Sequence, residues 1–153
     1  MQYPNTWFIQ EEVGSSYYFI TLGSDKSPEY RGPGKLHPAY ISISITVQDF
    51  DQELELTKVD YQYPTSYNDS QPTLVEDIIL GNLQGKKIYN TDSPHSYTLL
   101  FSNGHLLYHI GISEQRFHYK DQMKEGEGLL VGDDQVNYKS TIDQILSTFK
   151  FIK

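Results

Sequence analysis

The chain has 153 residues and no cysteine, and its twenty acidic side chains outnumber twelve Lys and Arg, for a formal net charge of -8. That length fits a single domain with one core, and the missing thiols remove disulfides, thiolate zinc sites and cysteine nucleophiles together. Scattered basic residues on an acidic chain repel a phosphate backbone, so no nucleic-acid partner is expected.

Thirteen tyrosines and one tryptophan, with many Thr, Ser and Ile residues, lean the chain towards strands. The start, Met1-Gln2-Tyr3-Pro4, shows neither a basic nor an apolar leader region. Trp7, Phe8 and Ile9 open a short strand ending near Gln10. Val13-Gly14-Ser15-Ser16 reads as a turn into a second strand, Tyr17 to Leu22, which makes a hairpin. Pro28, Gly32, Pro33, Gly34 and Pro38 then break any regular element, so Gly23 to Ala39 is expected to be a long loop.

From Tyr40 to Val47 apolar and polar residues alternate, with Ile41, Ile43, Ile45 and Val47 on one face and Ser42, Ser44 and Thr46 on the other. Between Gln48 and Leu56 the apolar positions change parity, which fits either a β-bulge or a short helix beginning near Asp49. Tyr61 to Pro72 reads as loop. Leu74 to Leu80 and Lys86 to Thr91 flank Gly81 to Gly85 as a hairpin, a helix over Leu74 to Leu80 being the alternative.

Tyr97 to Phe101 and Leu106 to Ile112 form the clearest hairpin. With Asn103-Gly104 at the centre of a type I′ turn, Phe101 would face Leu106, Leu99 would face Tyr108, and Tyr97 would face Ile110. The segment from Ser113 to Gly128 reads as loop with a short helical turn, and Leu129 to Val131 as a brief strand. Ile142, Ile145, Leu146 and Phe149 then recur at helical spacing, with Ser140 or Thr141 as cap and Asp143 and Gln144 placed for a capping box. The fold class is therefore α+β: an antiparallel sheet of about five to seven strands with a C-terminal helix packed on it.

The order of these pieces resembles PsbP-like domains, and in particular the bacterial envelope proteins and lipoproteins of that family. The resemblance is carried by Tyr3-Pro4-Asn5-Thr6-Trp7, the Ile41-Ser42-Ile43-Ser44-Ile45 strand, the Tyr97 to Ile112 hairpin and the ending Ile142-Asp143-Gln144-Ile145-Leu146-Ser147-Thr148-Phe149-Lys150-Phe151. It implies one domain over residues 1–153, an α/β/α sandwich, a non-enzymatic binding or scaffolding role, and a cell-envelope or extracellular location. Such domains have a strand before the Tyr-Pro…Trp turn and often a helix after the alternating strand. The first point raises the expectation that an opening strand, or an upstream export or anchor segment, lies outside this chain.

No catalytic residue, metal ligand or cofactor site is expected from spacing. His105 and His109 share a strand face, but four residues at about 3.3 Å rise hold them roughly 13 Å apart, and His37 and His118 read as loop residues. Asp49, Asp51, Glu53 and Glu55 resemble a calcium loop but lack its glycine and its closing glutamate, so a solvated acidic face is expected. Gly126-Glu127-Gly128 lacks the last glycine of a dinucleotide turn, and Gly111-Ile112-Ser113-Glu114-Gln115 lacks the last glycine of a nucleophile elbow. The candidate binding residues are Tyr30, Tyr63 and Tyr67, where aromatic rings coincide with chain breakers in the two long loops. A protein or a glycan would be the partner. The alternative is a small hydrolase or lyase whose site is assembled from distant residues.

Overall fold

The structure, a computed structural model, describes residues 2, 4–24, 36–37, 39–62, 73–90, 95–119 and 130–151. Its elements in chain order are β1 (Phe8–Val13), β2 (Tyr17–Gly23), β3 (Leu36–His37), β4 (Tyr40–Thr46), α1 (Phe50–Gln62), β5 (Thr73–Leu80), β6 (Leu83–Asn90), β7 (Ser96–Asn103), β8 (Leu106–Ser113), β9 (Gln115–Tyr119), β10 (Leu130–Asn137) and α2 (Lys139–Ser147). Seven strands form one antiparallel sheet in the order β1-β2-β4-β8-β7-β6-β5, and β10-β9-β3 form a second, smaller sheet. The α+β class expected from the sequence is the one observed.

The large sheet is two meanders joined along one seam, where β4 meets β8 with Ile41 opposite Ile112 and Ile43 opposite Ile110. Alternation along each strand gives the sheet two apolar faces. On one, Leu22, Ile41, Ile43, Leu99, Phe101, Tyr108, Ile110 and Ile112 form the core with Ile142, Ile145 and Leu146 of α2. On the other, Ile88, Leu100 and Leu107 are fully buried. There α1 reaches the sheet through Glu53, whose Oε1 lies 3.1 Å from His109 Nδ1, and through the Lys58 carbonyl, which accepts a 3.2 Å hydrogen bond from Thr73 Oγ1. One helix therefore covers each face.

The ambiguous stretch after β4 is a helix and not a bulge, because Asp49 caps it. Its Oδ1 accepts from the Gln52 N–H at 2.9 Å, and its carbonyl accepts from the Glu53 N–H at 3.1 Å. This satisfies first-turn donors that would otherwise be orphaned. The helix runs on through Tyr61 and Gln62, so the loop expected from Tyr61 starts later. Val47, expected inward, lies beyond the end of β4 and is 70% exposed.

Leu74 to Leu80 is strand, which removes the helical alternative, and the loop after it is shorter than Gly81 to Gly85. Leu80 pairs with Leu83, and Gly85 lies inside β6 opposite Phe101. A Cβ on Gly85 would clash with the Leu100 carbonyl oxygen and with the Phe101 ring. This glycine makes room for a core ring and does not break the strand.

The β7–β8 register also differs from expectation. Asn103 pairs with Leu106, so Gly104-His105 occupy the turn, and Phe101, Leu99 and Tyr97 face Tyr108, Ile110 and Ile112. The pairing shifts by two residues, which leaves every side chain on its expected face. Gly104 has φ +66°, and among the described residues no non-glycine has positive φ, so Asn103 does not take the type I′ conformation. Gly81, at φ +61°, occupies the same first turn position in the β5–β6 hairpin. Both turns follow the Gly-X sign pattern of type II′, which needs positive φ at one residue instead of two.

Past Ser113, Gln115–Tyr119 is strand β9, so this part of the expected loop is strand, and the strand expected at Leu129 to Val131 is described from Leu130 and runs on to Asn137 as β10. Leu36 pairs with His118 and His37 with Phe117, which places both histidines in strands. The N-cap of α2 is Tyr138, with no side-chain capping bond, so Ser140 and Thr141 fall inside the first turn and no capping box forms. The helix ends at Ser147. Phe149 lies beyond it, partly buried against the core, its ring 5.0 Å from that of Phe151. Phe151 in turn stacks edge-on to Tyr108 at 4.8 Å.

Candidate functional site

The described residues bring titratable groups together in two places. The first lies where β8 ends, β7 begins and α2 starts. The Glu114 side chain there is 5% exposed, with His95 Nδ1 at 3.4 Å and Lys139 Nζ at 3.8 Å. The Tyr97 hydroxyl donates to the same carboxylate. Backbone bonds fix the position: the Glu114 N–H donates to the His95 carbonyl at 2.8 Å, and the Tyr138 N–H donates to the Glu114 carbonyl at 2.9 Å.

Burial is the larger cause, and the neighbouring carboxylate the lesser, of a Tyr97 pKa raised far above the ordinary phenol value. Lys139 also bonds Asp143 at 2.9 Å, and that bond raises its pKa while partial burial opposes the rise. A ring network extends outward. Lys87 Nζ sits 4.3 Å from the Tyr97 ring centroid and 5.0 Å from that of Tyr89, whose hydroxyl donates to Glu76 at 2.5 Å. The line of contacts thus crosses from β5 to α2.

The second place is the Glu53–His109 pair between α1 and β8. It accounts for one member of the acidic run, and Asp49 as cap and Glu55 with Lys58 at 2.6 Å account for two more. Glu53 points at the sheet, which corrects the expectation of a wholly solvated face. The spacing of the run follows one helix and its cap, not a calcium loop. Among the described residues no group of three or more His, Cys, Asp or Glu side chains is placed to hold a metal ion, and no helix is long and apolar enough to cross a membrane.

Exposed large apolar side chains gather at the two ends of the sheet. Ile9, Val13 and Tyr17 lie at the β1 end, and Leu74, Val75 and Ile79 lie on β5. Leu56 and Val59 of α1 are exposed as well. Tyr30, Tyr63 and Tyr67 fall outside the described residues. Sequence spacing missed Glu114 and His95 because they lie nineteen residues apart and meet only through strand pairing. A faint signal was present in a lone Glu directly after an apolar strand, where a buried carboxylate needs partners.

No protein-family model matches the chain, and comparisons with curated proteins and with solved structures return no match.

Proposed function

We propose that this is a non-enzymatic binding or scaffolding domain of a bacterial envelope protein, of PsbP-like architecture. The observation that carries the reading is how the polar groups are used. Glu114 joins β7, β8 and α2, and Glu53 with His109 joins α1 to the sheet, so the buried carboxylates are engaged in holding elements together. Exposed large apolar side chains are found on the outer strands, Ile9 and Val13 on β1 and Leu74, Val75 and Ile79 on β5, and on α1 at Leu56 and Val59, and such surface favours contact with a partner. The PsbP-like assignment is supported by a helix directly after the alternating strand and by a closing helix with its Phe149 and Phe151 tail set against the sheet. Pull-down from envelope extracts and glycan-array screening test the reading, and reproducible substrate turnover by the purified domain overturns it.

One observation favours a second reading, a small hydrolase or lyase. His95 has a 44% exposed side chain with a buried carboxylate against Nδ1, the arrangement that orients an imidazole as general base. A turnover activity abolished by His95→Ala, with folding intact, would establish it.

A further inference from the structure

Strand β5 closes one end of the sheet, and among the described residues no strand lies beyond it. Edge strands are ordinarily guarded by brevity, by bulges, or by proline or lysine. β5 is neither short, bulged nor interrupted by proline, and of the charged side chains that also guard edges it carries Glu76 and Asp77, both acidic. It runs eight residues, Thr-Leu-Val-Glu-Asp-Ile-Ile-Leu, and pairs with β6 without interruption from Thr73 opposite Asn90 to Leu80 opposite Leu83.

The side chains on the α1 face of this edge are Val75, Asp77 and Ile79. Ile79 is 72% exposed and the Asp77 side chain 88%. The pattern is apolar, acidic, apolar at alternate positions. A strand added outside β5 would place its own alternate side chains about 5 Å from these. Apolar contacts at the ends and a cation at the centre would complement them, and a chain of net charge -8 steers a basic segment towards itself. Beside Asp77 now lies Lys86, at 2.6 Å from one carboxylate oxygen. The C-terminal half of α1 lies over the start of β5, as the Thr73 to Lys58 bond shows. It adds exposed Leu56 and Val59 on the same face.

We propose that β5 is a docking edge for an extended peptide that carries an apolar, a basic and an apolar residue at alternate positions, facing Val75, Asp77 and Ile79. The peptide adds a strand to the sheet, with main-chain hydrogen bonds supplying affinity and the central cation supplying selection. The inference rests on the binding-domain reading and names the chemistry of its partner.

The test uses a fluorescein-labelled peptide, Thr-Val-Thr-Lys-Thr-Ile-Thr, its Glu-centred counterpart, and anisotropy titration of the whole chain. Saturable binding of the Lys peptide is expected, at least ten-fold tighter than that of the Glu peptide. Asp77→Lys should reverse the preference, and Ile79→Lys should remove binding of both. Trp7 fluorescence verifies that each variant is folded. Failure of the Lys peptide to saturate, or equal preference in the parent and Asp77→Lys, overturns the docking edge. So does dimerisation of the chain lost on Ile79→Lys without peptide binding. An envelope partner captured equally by the parent and by Ile79→Lys sinks the edge while leaving the binding-domain reading standing.

Discussion

Replacing Glu114 with alanine separates two accounts of its buried carboxylate. Breaking a fully buried ion pair leaves an uncompensated charge and costs about 3 to 5 kcal/mol. Here, however, the partners left behind sit at the rim, with the Lys139 side chain 56% exposed and that of His95 44% exposed, so water solvates them once the carboxylate is gone. Lys139 also keeps Asp143. The loss that remains is the acceptor of the buried Tyr97 hydroxyl together with a small void, about 1 to 3 kcal/mol. Glu114→Gln keeps an acceptor for Tyr97 and should cost about 1 kcal/mol. Urea unfolding followed by Trp7 reads both values, since this tryptophan is buried and meets Tyr138 edge-on at a 6.0 Å centroid distance, beside the start of α2. A cost above about 4 kcal/mol for Glu114→Ala would refute the solvated-rim argument. Equal costs for Ala and Gln would refute the role given to the Tyr97 hydroxyl.

The raised Tyr97 pKa makes stability fall in alkali. Below the ordinary phenol value of 10.0 both states keep the proton. Above it the unfolded chain releases the proton and the folded chain does not, so stability drops by at most about 1.4 kcal/mol per pH unit from this group. Tyr97→Phe should remove that share of the slope in unfolding measured from pH 9 to about 11. Thr57 Oγ1, on the buried side of α1, has no hydrogen-bond partner among the described residues, so Thr57→Val should raise stability by about 1 kcal/mol, read by denaturant midpoint. Asp49→Ala removes the α1 cap and should cost about 1 kcal/mol, with earlier amide exchange along the helix. Leu146→Ala should cost about 2 to 5 kcal/mol, and Phe149→Ala, at a partly exposed site beyond the helix, should cost less, both read by urea unfolding.

The parts legible in the sequence were those with a local physical cause. Alternation from Tyr40 to Thr46 marked a strand because one face is buried, and Ile142, Ile145 and Leu146 marked a helix because they share its inner stripe. Misreadings came from residues whose role is tertiary. Gly85 looked like a loop signal but yields space to Phe101. Asn103-Gly104 looked like a paired turn, yet moving the turn by one residue needs only one positive φ and leaves both faces unchanged. The acidic stretch from Asp49 could not be separated from a bulge without knowing that Glu53 meets His109, fifty-six residues away. The Glu114 cluster was invisible for the same reason, since its members share no spacing and converge only through β7, β8 and α2.

The β4–β8 seam also says how the chain has to assemble. β1 and β2 pair as near neighbours, and β5 to β8 form a run of consecutive hairpins, so both sides can zip locally and early. Within the large sheet the β4–β8 pairing must close across everything between them, from Thr46 to Leu107, and that closure loses chain entropy before any contact is made. Ile43 and Ile110, facing one another across the seam, are therefore the pair whose truncation should slow refolding most, while truncation within either half should mainly hasten unfolding.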